Sequence, residues 1–391
     1  RQDPEHPYGM DGEPVVWLCD QNENGTLEFT NRGLEDLSNN GVVGTKTCAN
    51  SDSDFVRVIM GTRRGGGDNG FIYALDLSTT VTKEDDKVVP RFMWRIASGN
   101  STSDFRRLGQ TWSNPKLATV LVKDSGPAFQ KAVIIFGGGY DPKLDDDTMF
   151  STADNGGNDY LGNAVYIVNP MNGEKLLSIS GKASGADIEV EDMKFSIPSE
   201  IATLDSDSDG VVDRLYFGDL GGQVWRVDLS EIPFGGNKSS SAVVGKLASL
   251  SSKTSGERRR FFSPPSIVQV KDTAFSETEE YDYVLIGSGN RPHPMLEEDK
   301  DRFYALRDRF IGSGALFVQC GGKNICGSSD GYPNDTNQPI SHANPDILID
   351  ATTKGLKDHD VNLVKNSEGY YFDFTTANSS RPGEKVLSTP L

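Results

Sequence analysis

A short module recurs four times along the chain, and it limits the fold more than any other feature. Val56-Arg57-Val58-Ile59-Met60-Gly61 leads through a Gly-rich turn to Phe71-Ile72-Tyr73-Ala74-Leu75-Asp76. Val133-Ile134-Ile135-Phe136-Gly137 leads, after an acidic insertion, to Ala164-Val165-Tyr166-Ile167-Val168-Asn169. Leu215-Tyr216-Phe217-Gly218 leads to Gln223-Val224-Trp225-Arg226-Val227-Asp228, and Tyr283-Val284-Leu285-Ile286-Gly287 to Arg302-Phe303-Tyr304-Ala305-Leu306-Arg307-Asp308. Each copy is an apolar strand closed by glycine, a turn, an aromatic-bearing strand, and an acid or amide. Three copies follow a lead-in, Trp112-Ser113-Asn114-Pro115, Phe195-Ser196-Ile197-Pro198 or Phe262-Ser263-Pro264-Pro265.

Units of several strands at uneven spacing, each with its own turns, are the sequence sign of propeller blades. The expectation is an all-β fold, a quinoprotein-like, modified β-propeller of six or seven blades occupying residues 1–391 as one domain. The apolar strand ending in glycine runs nearer the axis, and the Tyr or Trp of the next strand packs between blades. The two ends share a blade to close the ring. The 42 glycines and 19 prolines fit short elements and frequent turns. Polar loop insertions are expected at 141–163, 230–260 and 312–366. The chain also reads as a fragment of a longer secreted protein, because its last residues fall in strand-like sequence.

Asp205-Ser206-Asp207-Ser208-Asp209-Gly210-Val211-Val212-Asp213 is the stretch that carries chemistry. Asp205, Asp207 and Asp209 stand at positions 1, 3 and 5 of a calcium loop, and Gly210 stands where the backbone turns with positive φ. The carbonyl of Val211 supplies position 7 and Asp213 position 9, so every ligand is a hard oxygen. Without a cation, carboxylates about 4 Å apart repel by about 1 kcal/mol per pair in water. Position 12 is Tyr216 where an EF-hand has a bidentate glutamate, and the flanks read as strands, so the loop joins two strands of one blade. The plain alternative is an acidic surface turn. A weaker copy of the pattern, Asp20, Asn22, Asn24-Gly25 and Glu28, is either a second cation site or a hairpin turn.

A formal charge of −18 argues against nucleic acid and anionic lipid as partners. No apolar run is long enough to insert in a membrane. Cys19, Cys48, Cys320 and Cys326 form an even set without a zinc pattern, which points to an oxidising compartment. Three pairings are open, of which Cys19 with Cys48 and Cys320 with Cys326 are sequence-local; four buried thiols are the alternative. Gly65-x-Gly67-x-x-Gly70 imitates a dinucleotide fingerprint, but a strand follows it and no helix N-terminus is available. Gly327-x-Ser329-x-Gly331 imitates a nucleophile elbow without the flanking strand and helix. His6, His293, His342 and His359 share no ligand spacing and read as solvated loop positions. The acids at Asp145-Asp146-Asp147 and from Asp154 to Asp159 read as wet surface, with further ions as the alternative.

With these features in place the chain resembles the C-terminal propeller of the PilC/PilY family, type IV pilus biogenesis factors and tip-associated adhesins. The resemblance rests on Phe71 to Leu77, Phe92-Met93-Trp94, Gly109 to Pro115, Ile135 to Tyr140 and Gly383 to Pro390. Its sharpest part is Asp205 to Asp213 continuing through Tyr216-Phe217-Gly218-Asp219-Leu220-Gly221-Gly222 to Leu229. It implies no enzyme activity, and an extracytoplasmic protein at the pilus tip or outer cell surface. Calcium held by Asp205, Asp207, Asp209, the Val211 carbonyl and Asp213 would affect pilus extension, retraction and adhesion. The implied partners are pilus subunits or other tip proteins, and host or abiotic surface receptors. Arg63, Arg64 and the long insertions depart from the family pattern, so loop-borne partner surfaces do not transfer. Two other readings are a quinoprotein-type dehydrogenase, disfavoured because no two cysteines are adjacent, and a carbohydrate-binding structural propeller.

Overall fold

The computed structural model describes residues 12–20, 25–27, 54–62, 70–78, 90–99, 103–146, 160–252, 257–273, 278–294, 299–309, 311, 340–341, 348–352 and 359–374. Four strands come first: β1 (Val15–Cys19), β2 (Phe55–Gly61), β3 (Phe71–Asp76) and β4 (Arg91–Ala97). β5 (Lys116–Lys123), β6 (Phe129–Gly137), β7 (Ala164–Val168), β8 (Lys175–Gly181) and β9 (Ile188–Val190) follow. Next are β10 (Ala202–Leu204), β11 (Arg214–Gly218), β12 (Gln223–Leu229), β13 (Ile232–Pro233) and β14 (Ala242–Ser249). β15 (Ser266–Asp272), β16 (Glu279–Gly287), β17 (Arg302–Asp308), β18 (Ile340–Ser341), β19 (Ile349–Asp350) and β20 (Gly369–Asp373) complete the strands. A short helix, α1 (Val361–Asn366), precedes β20.

These strands form four sheets, in the orders β1-β2-β3-β4, β13-β5-β6-β7-β8-β9, β10-β11-β12-β14-β18 and β15-β16-β17-β20-β19. Four antiparallel strands make the body of each sheet, and the repeated module supplies its second and third strands. In the first three sheets the fourth strand carries one extra residue opposite the third: Met93, Leu176 or Leu247. Such a bulge increases the local twist of the sheet.

Alternation along the strands shows how the sheets stack. Ala132, Ile134, Phe136, Ala164, Tyr166 and Val168 pack with Trp17, Phe55, Ile72 and Trp94 of the first sheet. The odd-numbered neighbours Val133, Ile135, Val165 and Ile167 pack with Leu215, Phe217, Trp225 and Val227 of the third sheet. Tyr216 and Val224 then turn to Val284, Ile286, Tyr304 and Leu306 of the fourth. A period of two thus gives each middle sheet two buried faces and builds one layer of core per interface. The module aromatics Tyr166, Trp225 and Tyr304 lie in these layers, as expected, while Tyr73 is on the half-exposed outer face of the first sheet.

The expectation of a long exposed loop over 230–260 is corrected. β14 is an interior strand there, buried along most of its length and paired with all of β12. Its small residues and Lys246 mask the apolar signal. Lys246 is itself buried, with its ammonium 5.4 Å from the centre of the Trp225 ring and 3.0 Å from Asp192. Within 312–366, β18, β19 and α1 replace part of the expected loop. Arg307 and Arg309 donate to the carbonyls of Val364, Lys365 and Ser367, so the end of α1 is pinned to β17 by two cations where helix carbonyls lack partners.

Cys19 is disulfide-bonded. Cys48, Cys320 and Cys326 lie outside the described residues, and the pairing stays open. Also outside are His6, His342, the nucleophile-elbow imitation and Asp154 to Asp159. No helix of the described residues is long and apolar enough to cross a membrane.

Candidate functional site

The acidic loop joins β10 to β11, which pair antiparallel as Ala202 with Tyr216 and Leu204 with Arg214. Two residues take the left-handed conformation, Ser208 at φ 65° and Gly210 at φ 88°. A Cβ at Gly210 would meet nothing within 4 Å, so the glycine is required by its dihedral and not by crowding.

Carboxylate oxygens of Asp205, Asp207 and Asp209 lie within 4.8 Å of one another. The loop's own amides hold them there. Asp205 accepts from the N–H of Asp209 (3.2 Å) and of Gly210 (2.8 Å), Asp207 from Asp209 (3.2 Å), and Asp209 from Val211 (2.8 Å). Each carboxylate keeps lone pairs for a further partner, and the donor set is entirely hard oxygen, so these residues fit a calcium ion.

Asp213 does not join that trio. Its Oδ2 accepts from the Ser206 N–H at 2.7 Å and the Ser206 hydroxyl at 2.5 Å, closing the loop at its base. Val211 is buried, and its neighbour Val212 donates its N–H to the carbonyl of Thr119 on β5 at 2.8 Å. On the other side Gln269 of β15 donates to the Ser206 carbonyl at 3.3 Å. The loop therefore touches the sheets before and after its own.

Tyr216, at position 12, is buried, and its hydroxyl is shared between Asp282 (2.9 Å) and Asp308 (2.8 Å) of the fourth sheet. Around it Arg214 meets Asp282 at 3.1 Å, and Arg226 meets Asp228 at 2.8 Å and Asp308 at 2.9 Å. Burial pushes the Asp228 and Asp282 carboxyls up, and the neighbouring guanidinium groups oppose the shift. This network fastens the third sheet to the fourth.

A second constellation has no local sequence signature. The lead-in residues Trp112, Phe195 and Phe262 meet Tyr140, Leu144, Tyr160 and Leu220 in one aromatic cluster. At its border Asp145 accepts from the Tyr140 hydroxyl, lies 2.8 Å from His293 Nε2, and stands 4.0 Å from Arg260. His293, expected as a solvated loop residue, is 46% exposed but tied to that acid. Asp145 is thus engaged by side chains from three parts of the chain. For the weaker cation pattern, Asp20 accepts from the Gly25 N–H at 2.7 Å; Asn22, Asn24 and Glu28 lie outside the described residues.

What these features define is a class: a mostly β protein of stacked sheets, each built on four antiparallel strands, with an acidic loop that could hold a metal ion between two strands of one sheet. A type IV pilus biogenesis factor PilY1 homolog of Xylella fastidiosa is 28% identical over 183 residues, 46% of this chain and 10% of that protein. The crystal structure of the Pseudomonas aeruginosa PilY1 C-terminal domain superposes with a TM-score of 0.51 at 17% identity, over 97% of this chain and 65% of that one. Over those 183 residues the chain is similar in sequence to the PilY1 homolog, and it shares the fold of the PilY1 C-terminal domain. The sequence match spans about a tenth of the curated relative's length. No family model matches the chain.

Proposed function

We propose that the protein is a calcium-binding module of type IV pilus biogenesis and tip adhesion, built as a propeller of six or seven blades and presented outside the cell. In this reading Asp205, Asp207 and Asp209 hold the ion, with the Val211 carbonyl and, through the oxygen that is not bonded to Ser206, Asp213 completing the shell. The observation that carries it is the convergence of three carboxylates at a positive-φ turn already ordered by its own amides. The likeness to PilY1 supplies the pilus context. Calcium supplies the positive charge that lets the acids stay together. The chain does the rest, because the loop is tied to β5 on one side and β15 on the other. Neutralising the acids holds the loop in this one arrangement and so fixes the surface where three sheets meet, which is the surface offered to pilus subunits, other tip proteins or a receptor. No catalytic role is assigned.

Calorimetry tests the site. The wild-type chain is expected to bind one calcium with an affinity in the extracellular range of about 10⁻⁴ to 10⁻³ M. Asp205→Ala and Asp209→Ala are expected to abolish the binding isotherm while leaving the circular dichroism spectrum unchanged. Calcium binding that persists in both variants would sink the assignment.

A further inference from the structure

The hydrogen bonds between the third and fourth sheets need one more proton than the ordinary charge states of their residues supply. Tyr216 Oη lies 2.9 Å from Asp282 Oδ2 and 2.8 Å from Asp308 Oδ2, and all three side chains are fully buried. A phenol carries a single proton, so it can donate to only one of these oxygens. With both carboxyls ionised, the other contact would set a hydroxyl lone pair against a charged oxygen away from water, which is unfavourable. Two hydrogen bonds therefore require a second proton, carried by one of the acids.

The charges around this point lead to the same place. Two guanidinium groups, Arg214 and Arg226, face three carboxyls, Asp228, Asp282 and Asp308, and all five side chains are buried. Three ionised acids would leave one negative charge uncompensated; one neutral acid balances the cluster. Arg226 grips Asp228 through both oxygens, at 2.8 and 2.9 Å, and meets Asp308 at 2.9 Å. Asp282 has the longest of these bonds, 3.1 Å to Arg214, and its Oδ1 lacks a hydrogen-bond partner. On the neighbouring strand β15 the residue opposite Asp282 is the uncharged Gln269. Glu368, which acts on Asp308, has Arg309 at 3.3 Å beside it. Burial pushes the Asp282 carboxyl up, with Tyr216 and Arg214 opposing and Asp308 assisting.

We propose that a proton held by Asp282 makes the joint between the third and fourth sheets a pH-sensitive latch: Asp282 Oδ2 donates to Tyr216 Oη, and Tyr216 donates to Asp308 Oδ2. Arg226 holds Asp308 as the carboxylate end of the chain. Loss of the Asp282 proton removes one of the two hydrogen bonds and places a second negative charge beside Asp308, so the latch loosens. In the unfolded chain this carboxyl returns to about 4. The latch thus contributes fully below about pH 4 and is lost as pH rises through the point where folded Asp282 ionises. It does not depend on calcium.

Infrared difference spectra of the whole chain, wild type minus Asp282→Asn, test the proton at about pH 6, two units above the ordinary aspartate value. The expected signal is the carbonyl stretch of a protonated acid, giving way to a carboxylate band as pH is raised. Asp282→Asn puts an amide N–H where the acid O–H stands, and its urea midpoint is expected to vary less with pH than that of the wild type. Tyr216→Phe takes away the acceptor of the proton, and the acid band is expected to give way about one pH unit lower, the worth of one hydrogen bond. Were Tyr216 instead donating to an ionised Asp282, that shift would run upward. The wild type minus Tyr216→Phe difference carries the same reading if the asparagine variant does not fold. A carboxylate band alone at about pH 6, an upward shift in Tyr216→Phe, or urea midpoints of wild type and Asp282→Asn that move equally with pH would each overturn the proposal.

Discussion

Asp219 shows how much a single side chain organises. It is fully buried in the turn between β11 and β12, and its two oxygens accept from the N–H of Gly221 and Gln223 and from the indole N–H of Trp225, each at 2.9 Å. Asp219→Ala leaves three buried donors without acceptors, and is expected to cost about 3 kcal/mol. Asp219→Asn keeps the two backbone partners and is expected to cost less. Urea midpoints check both, and a loss below about 1 kcal/mol for the alanine variant would contradict the argument. At this scale the sequence is readable where partners are close in the chain. Asp205, Asp207 and Asp209 are legible because the loop is one turn long. Asp145 with His293 is not, because 148 residues separate them and only the stacking of sheets brings them together. Asp213 is half legible: its spacing marks it as a ligand, while its bond to Ser206 depends on how the turn closes.

Among the elements, the second and third strands of each sheet are plain in the sequence because the apolar run, the glycine and the aromatic recur. First and fourth strands are harder, and β14 is the clearest miss. Its core contacts are made by Ala242, Val244, Leu247 and Ala248, while Gly245 and Lys246 between them break the pattern a strand is recognised by. The interfaces between sheets depend on residues that look ordinary in the module. Tyr216 bridges Asp282 and Asp308, and Asp282 Oδ1 already lacks a hydrogen-bond partner. Tyr216→Phe therefore keeps the ring packing and strips one donor from two buried carboxylates. It is expected to destabilise by about 2 kcal/mol and to speed amide exchange in β11 and β16 more than in β6. Equal effects on all three strands would mean the network does not join the third and fourth sheets specifically.

For the whole molecule, the buried acids and the net charge of −18 act in the same direction as pH changes. Burial pushes Asp219 up to about 7 against its three donors, and pushes Glu368 up to about 7 although Arg309 and Arg307 oppose it. Asp228 and Asp282 are raised for the same cause. In the unfolded chain these carboxyls return to about 4. Between about pH 4 and 7 Asp219 and Glu368 therefore hold more protons in the folded protein than in the unfolded one, so their contribution to stability is full at the acid end and is lost as pH rises through that range. Glu368 isolates the effect, since it is buried beside Arg309, with its Oε1 lacking a hydrogen-bond partner. Glu368→Gln cannot ionise, and the loss of stability from pH 4 to pH 8 is expected to shrink by up to about 3 kcal/mol. Thermal melts in chelator, which keep calcium out of the comparison, check it: the wild-type Tm should fall with rising pH, and the variant's Tm should fall less. A wild-type Tm that climbs through the same range would show that Glu368 and Asp219 are ionised in the folded protein from the outset.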